Sequence, residues 1–167
     1  MAISGLLFIL IFIVAVSGCT STDNSTKHYD NGNISFDYPT SMSVKQENTS
    51  VPFHLNIHNN QWSSGVQITP SNSNPNHRMT TIGERLNASV NGSGGTTGQF
   101  TQLTIDGKLA YNITHKNQDG TTSYTTLIDL GTIFLTIQPT TETSIKDQTT
   151  SNSYKAYELI VKTMKIN

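Results

Sequence analysis

The chain has 167 residues and a formal net charge of −1, and only 13% of its residues are charged, about half the usual share in globular domains. Charges of both signs are scattered and form no basic stripe, which argues against a nucleic-acid-binding protein, and the single cysteine excludes an internal disulfide. The deficit is filled by 18 Ser, 25 Thr and 16 Asn, a composition that agrees with an extracytoplasmic location.

The first predicted element is a signal peptide at residues 1–18. Leu6–Val16 is an apolar run of 11 residues, which matches the core of a secretory signal and is shorter than the ~20 residues of a spanning helix. The Ser-Gly-Cys sequence that ends at Cys19 resembles a lipobox, where lipoprotein signal peptides are cut and the new N-terminal cysteine is lipidated. We therefore predict that Cys19 attaches the protein to the extracytoplasmic face of the cell membrane. Because Met1–Gly5 has no Lys or Arg, plain secretion and an uncleaved anchor are the alternatives.

A flexible tether is predicted next. Residues 20–28 contain no aliphatic or aromatic side chain, so they bury no apolar surface that would offset the entropy of ordering. We expect one globular domain to follow, over residues 29–167.

Alternation of apolar and polar residues with a period of two predicts β-strands in the first part of this domain. Residues 34–38 alternate in this way until Pro39 ends the strand. Residues 53–57 repeat the pattern, and residues 66–68 follow a polar turn as the returning strand of a hairpin.

The second part of the domain is predicted to be an antiparallel meander of about four strands. Residues 103–105 lead into Asp106-Gly107, a two-residue hairpin signal. The returning strand spans residues 109–113. Two more strands follow, at residues 124–130 and 133–137.

Two helices are predicted beside the strands. Residues 81–90 begin with the spacing of a capping box and repeat apolar residues every four positions. The second helix starts near residues 151–153 and has an apolar face that ends at Met164. The fold class is therefore α+β, with an antiparallel β-sheet flanked by helices.

Residues 32–42 read Gly-Asn-Ile-Ser-Phe-Asp-Tyr-Pro-Thr-Ser-Met and resemble the strand that opens PsbP-like domains, with Met42 in place of the usual Trp. Residues 157–166 resemble the closing helix and short final strand of that family. The order of elements between these ends also fits, so the resemblance covers roughly residues 29–167. It implies an α/β/α sandwich and an extrinsic, membrane-associated accessory protein. Short Asn-, Ser- and Thr-rich lipoproteins of methanogenic archaea look similar.

His54 and His58 are the obvious candidates for a metal site. On a helix, this spacing would place both imidazoles on one face. Here the residues alternate with apolar ones, and in a strand four residues separate the two by roughly 13 Å, too far to share one ion. We expect two solvent-facing histidines, no bound metal and no cofactor.

No compact set of catalytic residues is found, so we predict that the protein is not an enzyme. The glycine-rich residues 92–98 follow a predicted helix and precede a strand, the reverse of a phosphate-binding loop, and we interpret them as a connection. No G-x-S-x-G sequence occurs. Asp129 lies within an apolar strand and is interpreted either as solvent-facing or as a partly buried functional acid.

Three residues are candidates for contact with a ligand or partner: Trp62, Arg78 and Arg85. Trp62 lies in a polar turn, where it either folds back over the sheet or stands exposed as a recognition aromatic. The two arginines, with His77, either form a local anion-binding spot or are ordinary surface charges.

These patterns favour a lipid-anchored, non-enzymatic binding or accessory module that recognises an envelope protein or glycan. One alternative is an envelope hydrolase whose site is assembled from dispersed His and Asp residues. Another is a structural wall component whose glycosylated surface matters most. Candidate glycosylation sites for that function are Asn24, Asn87 and Asn91.

Overall fold

The computed structural model describes residues 25–47, 50, 53–72, 98–117, 119–140, 142 and 144–167. Within these ranges the chain forms ten strands, one α-helix and one 3-10 turn. The strands are β1 (Thr26–Asp30), β2 (Ile34–Pro39), β3 (Met42–Gln46), β4 (Leu55–Asn59), β5 (Gly65–Asn72), β6 (Gly98–Ile105), β7 (Lys108–Lys116), β8 (Thr122–Asp129), β9 (Ile133–Pro139) and β10 (Lys165–Ile166). The 3-10 turn spans Gln148–Thr150, and helix α1 spans Asn152–Thr163.

The strands form two antiparallel sheets. A three-stranded sheet has the order β1-β2-β10, and a seven-stranded sheet has the order β3-β4-β5-β9-β8-β7-β6. The predicted hairpin β4–β5 and the predicted meander β6–β9 are both confirmed. The two groups are joined by pairing of β5 with β9, in which Val66 lies opposite Pro139.

The β6–β7 hairpin has the two-residue turn that Asp106-Gly107 predicts. Both turn residues have positive φ, 47° at Asp106 and 76° at Gly107, as a type I′ turn requires. The Asp106 carboxylate accepts a hydrogen bond from the Ile166 amide at 2.8 Å and one from Lys165 Nζ at 3.3 Å. The tip of the hairpin is thereby joined to β10 of the other sheet.

The junction at Asp106 predicts a pH-dependent contribution to stability. The hydrogen bond from the Ile166 amide is the largest cause that lowers the pKa of Asp106. Because the pKa of Asp106 is lower in the folded protein, its ionised carboxylate stabilises the fold at pH values above about 4, the pKa in the unfolded chain. This stabilisation is lost as the pH falls through the lower pKa of the folded protein. We expect Asp106→Asn, which keeps an acceptor oxygen and tolerates positive φ, to flatten the loss of stability below about pH 4. Urea unfolding at a series of pH values measures this, and identical pH profiles for both proteins would contradict it.

The first strand starts earlier than the sequence predicts. Thr26–His28, assigned to the tether, belong to β1, which pairs along its whole length with β2. Backbone hydrogen bonds hold this strand although its side chains are mostly exposed, so its composition resembles that of a tether. The predicted signal peptide and Cys19 lie outside the described residues.

No helix in the described ranges has the length and apolar character needed to cross a membrane.

The main core lies between the two sheets and α1, which packs on β2, β5 and β9. Helix α1 starts at its N-cap Ser151, whose hydroxyl accepts from the Tyr154 amide at 3.0 Å. Met42 is 2% exposed and belongs to this core. The largest fully buried side chains in the described ranges are Ile34, Phe36, Leu55, Ile57, Val66, Ile68, Thr126, Ile128, Leu135, Ile137 and Ile160.

The start of α1 is also bonded to β5. The buried Ser153 hydroxyl accepts from the Gly65 amide at 2.9 Å and donates to Glu142 Oε1 at 2.8 Å. The same carboxylate oxygen accepts from the Ser153 amide at 3.0 Å. One serine thus connects the sheet, the helix and the chain segment before the helix.

The seven-stranded sheet also has an apolar cluster on its other face. Ala110 and Leu135 lie on the face of the sheet that contacts the main core. Tyr111 and Phe134 are their neighbours along the strands, so the register places them on the opposite face. Both are nearly buried, and they pack with the partly buried side chains of Phe100, Leu109, Ile113 and Leu127. This half of the sheet is therefore apolar on both faces.

The predicted fold class is confirmed in its sheets and only partly in its helices. The helix predicted near residues 151–153 is α1, with Ala156, Tyr157 and Ile160 buried. The helix predicted over residues 81–90 lies outside the described residues. The described part of the chain is therefore mostly β-sheet, with a single α-helix on one face.

Candidate functional site

The turn between β4 and β5 is organised by one asparagine. Asn59 Oδ1 accepts from the amides of Ser63 and Ser64 at 3.0 and 3.4 Å, and its Nδ2 donates to Ser63 Oγ at 3.0 Å. The Asn59 carbonyl accepts from the Trp62 amide at 3.0 Å. Side-chain hydrogen bonds of this kind fix a polar turn without apolar packing.

Trp62 is held exposed at this turn. Its side chain is 54% exposed, the one large apolar side chain that is exposed among the described residues. Its φ of 55° lies in the left-handed region, which is unfavourable for a bulky side chain. Both interpretations of Trp62 hold in part, because its ring lies over His58 of β4 and also stands exposed at the surface.

His58 supports the indole ring. The two ring centroids are 3.3 Å apart with an interplanar angle of 16°, a stacked arrangement. His58 Nδ1 donates to the Asn59 carbonyl at 2.8 Å, which fixes the orientation of the imidazole. The expectation that His58 simply faces solvent is thus corrected, since one of its faces is covered by Trp62. Strand alternation alone gave no signal of this contact, because it depends on the conformation of the turn.

Charged and amide groups surround the ring. Lys45 Nζ lies 5.4 Å from the Trp62 ring centroid, within cation–π range, and 3.1 Å from Glu47 Oε1. Asn56 Nδ2 donates to the same Glu47 oxygen at 2.9 Å, and this bond is the main cause that lowers the pKa of Glu47. We call Lys45, Glu47, Asn56, His58 and Trp62 the Trp62 corner.

A separate cleft of about 770 Å³ lies between α1 and strands β7 and β8. At its floor the Tyr157 hydroxyl is 2.6 Å from Thr126 Oγ1, which donates to Asn112 Oδ1 at 2.7 Å. Tyr154 packs edge-on against Tyr124 with ring centroids 4.5 Å apart. The sequence predicts Tyr154 and Tyr157 on the apolar face of a helix and Tyr124 at the start of a strand, and neither pattern indicates a cleft.

The phenols of this cleft are poor acids. Burial is the largest cause that raises the pKa of Tyr154 to about 12 and also raises the pKa of Tyr157 and Tyr124. All three hydroxyls therefore stay protonated at neutral pH and serve as hydrogen-bonding groups rather than as proton-transfer groups.

The described carboxylates and histidines are placed as structural or surface groups. Asp129 ends β8, and its Oδ1 accepts from the Gly131 amide at 2.7 Å. It therefore caps a turn at the end of the strand, which accounts for its position without a catalytic role. His28 Nδ1 lies 2.7 Å from Asp37 Oδ1, but the two side chains are 60% and 38% exposed. Within the described residues, no group of three or more His, Cys, Asp or Glu side chains could hold a metal ion.

Most of the other predicted site residues lie outside the described part of the chain: His77, Arg78, Arg85, Asn24, Asn87, Asn91 and residues 92–97. Two asparagines that are followed by Ile and then Ser or Thr, the N-x-Ser/Thr pattern of glycosylation sites, lie in the described ranges. Asn33 is exposed, whereas the side chain of Asn112 accepts the hydrogen bond from Thr126.

Neither a comparison with protein-family models nor one with curated proteins finds a match to this chain. Among solved structures, the chain is similar to the solution structure of cyanobacterial PsbP (CyanoP) from Synechocystis sp. PCC 6803. The TM-score is 0.56 and the sequence identity 11%, over 91% of this chain and 99% of that chain. The chain therefore has a PsbP-like fold, which confirms at the level of the fold the resemblance of residues 32–42 and 157–166. At this identity the likeness concerns the fold alone.

Proposed function

We propose that the protein is a non-enzymatic binding or accessory module, attached by a lipid on Cys19 to the extracytoplasmic face of the cell membrane. The Trp62 corner is its contact surface for an envelope protein or glycan. The main support is the exposure of Trp62 in a fixed turn, stacked on His58.

The energetics of Trp62 favour a role in binding. A left-handed backbone costs roughly 1–2 kcal/mol for a residue with a side chain, and leaving a large apolar ring in water forgoes about 1.5–3 kcal/mol of burial. Glycine or asparagine at this position would relieve the strain and expose less apolar surface. Strained residues that persist in a folded protein cluster at sites of function, and Trp is enriched among the residues that dominate binding energy.

The chemistry of the corner suits a polar partner. The indole offers an apolar surface for stacking, while Lys45, Glu47 and Asn56 offer a cation, an anion and an amide within the same patch. Groups of this kind bind sugars or polar peptides by stacking and hydrogen bonding together.

The chain's single tryptophan makes the proposal directly testable. Because Trp62 is the only Trp, tryptophan fluorescence, excited selectively over that of the six tyrosines, reports on the corner alone. We expect the addition of envelope glycan or envelope protein fractions to shift or quench the emission of the full-length protein. Trp62→Ala should reduce capture of the same fraction at least tenfold, as expected for a residue worth more than about 1.4 kcal/mol.

Gln61→Ala is the matched control, since it changes the preceding residue of the same turn. Capture should be unchanged in this variant. Equal capture by the unmodified protein and by Trp62→Ala would contradict the binding role.

The lipid attachment is tested separately by mass analysis of the mature N-terminus. A lipid adduct on Cys19 is expected, and an intact segment of residues 1–17 would contradict the attachment.

A further inference from the structure

The sheet edges of this protein differ in how they are protected. The strands at the ends of the two sheets are β1, β10, β3 and β6. An edge strand presents unpaired backbone N–H and C=O groups, which can pair with another chain. Proteins limit this pairing with charged residues, prolines, bulges or short strands.

Three of the four edges have such protection. Strand β10 has two residues. Strand β1 includes Lys27, His28 and Asp30 within five residues. Strand β3 is also five residues long and contains Lys45, which is paired with Glu47.

Strand β6 has none of these features. Its eight residues, Gly-Gln-Phe-Thr-Gln-Leu-Thr-Ile, include no charge and no proline. Its register with β7 runs without a bulge from Gly98 opposite His115 to Ile105 opposite Lys108.

Among the described strands β6 pairs only with β7, and side chains on both of its faces are exposed. Gln99 and Thr101 are exposed on one face, and Gln102 and Thr104 on the other.

The hairpin geometry defines which backbone groups of β6 are available. In a two-residue hairpin the closing pair, here Ile105 and Lys108, exchanges both backbone hydrogen bonds. The hydrogen-bonding groups of alternate residues therefore point away from β7. These residues are Phe100, Gln102 and Thr104.

We propose that β6 is the interface of a homodimer, in which two copies of the chain pair their β6 strands antiparallel to form one continuous sheet. The absence of charge on β6 lets two identical strands approach without repulsion. A closed dimer requires that the same surface meets itself about a two-fold axis, and antiparallel pairing of one strand with its own copy meets this requirement.

A two-fold axis at Thr101 satisfies the outward-pointing backbone groups. Phe100 of one copy then pairs with Gln102 of the second copy, and Thr101 lies opposite Thr101 in a favourable Thr–Thr cross-strand pair. Thr101 also lines the cleft beside α1. The clefts of the two copies therefore lie next to each other across the axis.

Cysteine cross-linking of the full-length protein tests this register. Cβ atoms of directly opposite residues lie about 4.5–5.5 Å apart, close enough for a disulfide after a small adjustment. Thr101→Cys should give a disulfide-linked dimer with a mild oxidant. Thr104→Cys is equally exposed on β6 but lies opposite Gly98 of the second copy, so it should stay unlinked. Each variant is compared with the unmodified chain to account for Cys19.

Gln102→Pro tests the interface at the cost of one side-chain hydrogen bond, which Gln102 Oε1 accepts from the Tyr111 hydroxyl at 3.4 Å. Its N–H points away from β7, so a proline there leaves the β6–β7 ladder intact. Sedimentation in detergent should show a dimer for the unmodified chain and a monomer for Gln102→Pro, with unchanged circular dichroism. The proposal would be overturned if the unmodified chain sedimented as a monomer at all micromolar concentrations. It would also be overturned if a different envelope protein occupied the β6 edge.

Discussion

Phe36→Ala is expected to destabilise the protein by about 3–5 kcal/mol, the usual cost of removing a buried aromatic ring. Phe36 is completely buried in β2. Its ring contacts Tyr29 and Tyr38, with centroids 5.1 and 6.3 Å away, and β2 packs on α1. Since domains of this size are stable by only about 5–15 kcal/mol, this single change removes a large part of the total.

Urea unfolding of the unmodified protein and of Phe36→Ala, monitored by circular dichroism, measures the difference in their free energies of unfolding. Phe36→Leu is the matched variant, because it keeps most of the apolar volume and should cost much less. Phe100→Ala removes the same ring from a partly buried position and should also cost less. A loss below about 1 kcal/mol in Phe36→Ala would contradict the central position of Phe36 in the core.

Gly65→Ala is expected to destabilise the protein by about 1–3 kcal/mol through overpacking. A Cβ at this position would lie 2.5 Å from the Ile57 carbonyl oxygen and 3.3 Å from the His58 Cα, both backbone atoms. The backbone of β4 would have to move, and Gly65 also donates its amide proton to the buried Ser153 hydroxyl. Gly65 lies directly opposite His58, which supports Trp62.

The same variant should therefore change the emission of Trp62. Gly131→Ala is the control, because a Cβ there meets no atom within 4 Å while φ is 86°. It should lower stability by roughly 1 kcal/mol through backbone strain without altering the emission. Unchanged stability and unchanged Trp62 emission in Gly65→Ala would contradict this prediction, because they would show that the β4 backbone moves aside without a loss of free energy.

The local parts of this fold were predictable because their signals lie within a few residues. Asp106-Gly107 supplies the two positive φ values of its turn, and Ser151 caps the helix that follows it. The pairing of β5 with β9 was not predictable, since alternation shows which face of a strand is buried and not which strand lies beside it. Val66 and Pro139 are opposite each other although far apart along the chain.

The candidate site was predictable only by residue type. An isolated Trp62 in a polar turn suggested a contact residue, but its left-handed backbone is set by the hydrogen bonds of Asn59. His58 was assigned to solvent because strand alternation cannot report a stacking partner that lies beyond the end of the strand. Tyr154 and Tyr157 are predicted only as members of an apolar helix face, since apolar periodicity carries no information about the hydrogen-bond partner of a buried hydroxyl.

The early start of β1 also limits where the domain can act if Cys19 is lipidated. A chain extends at most about 3.6 Å per residue, so the lipidated cysteine can lie no farther than about 25 Å from Thr26, rather than about 36 Å from Tyr29. The three-stranded sheet would then remain close to the lipid headgroups. A partner embedded in the membrane, or lying on it, would therefore be met at high local concentration.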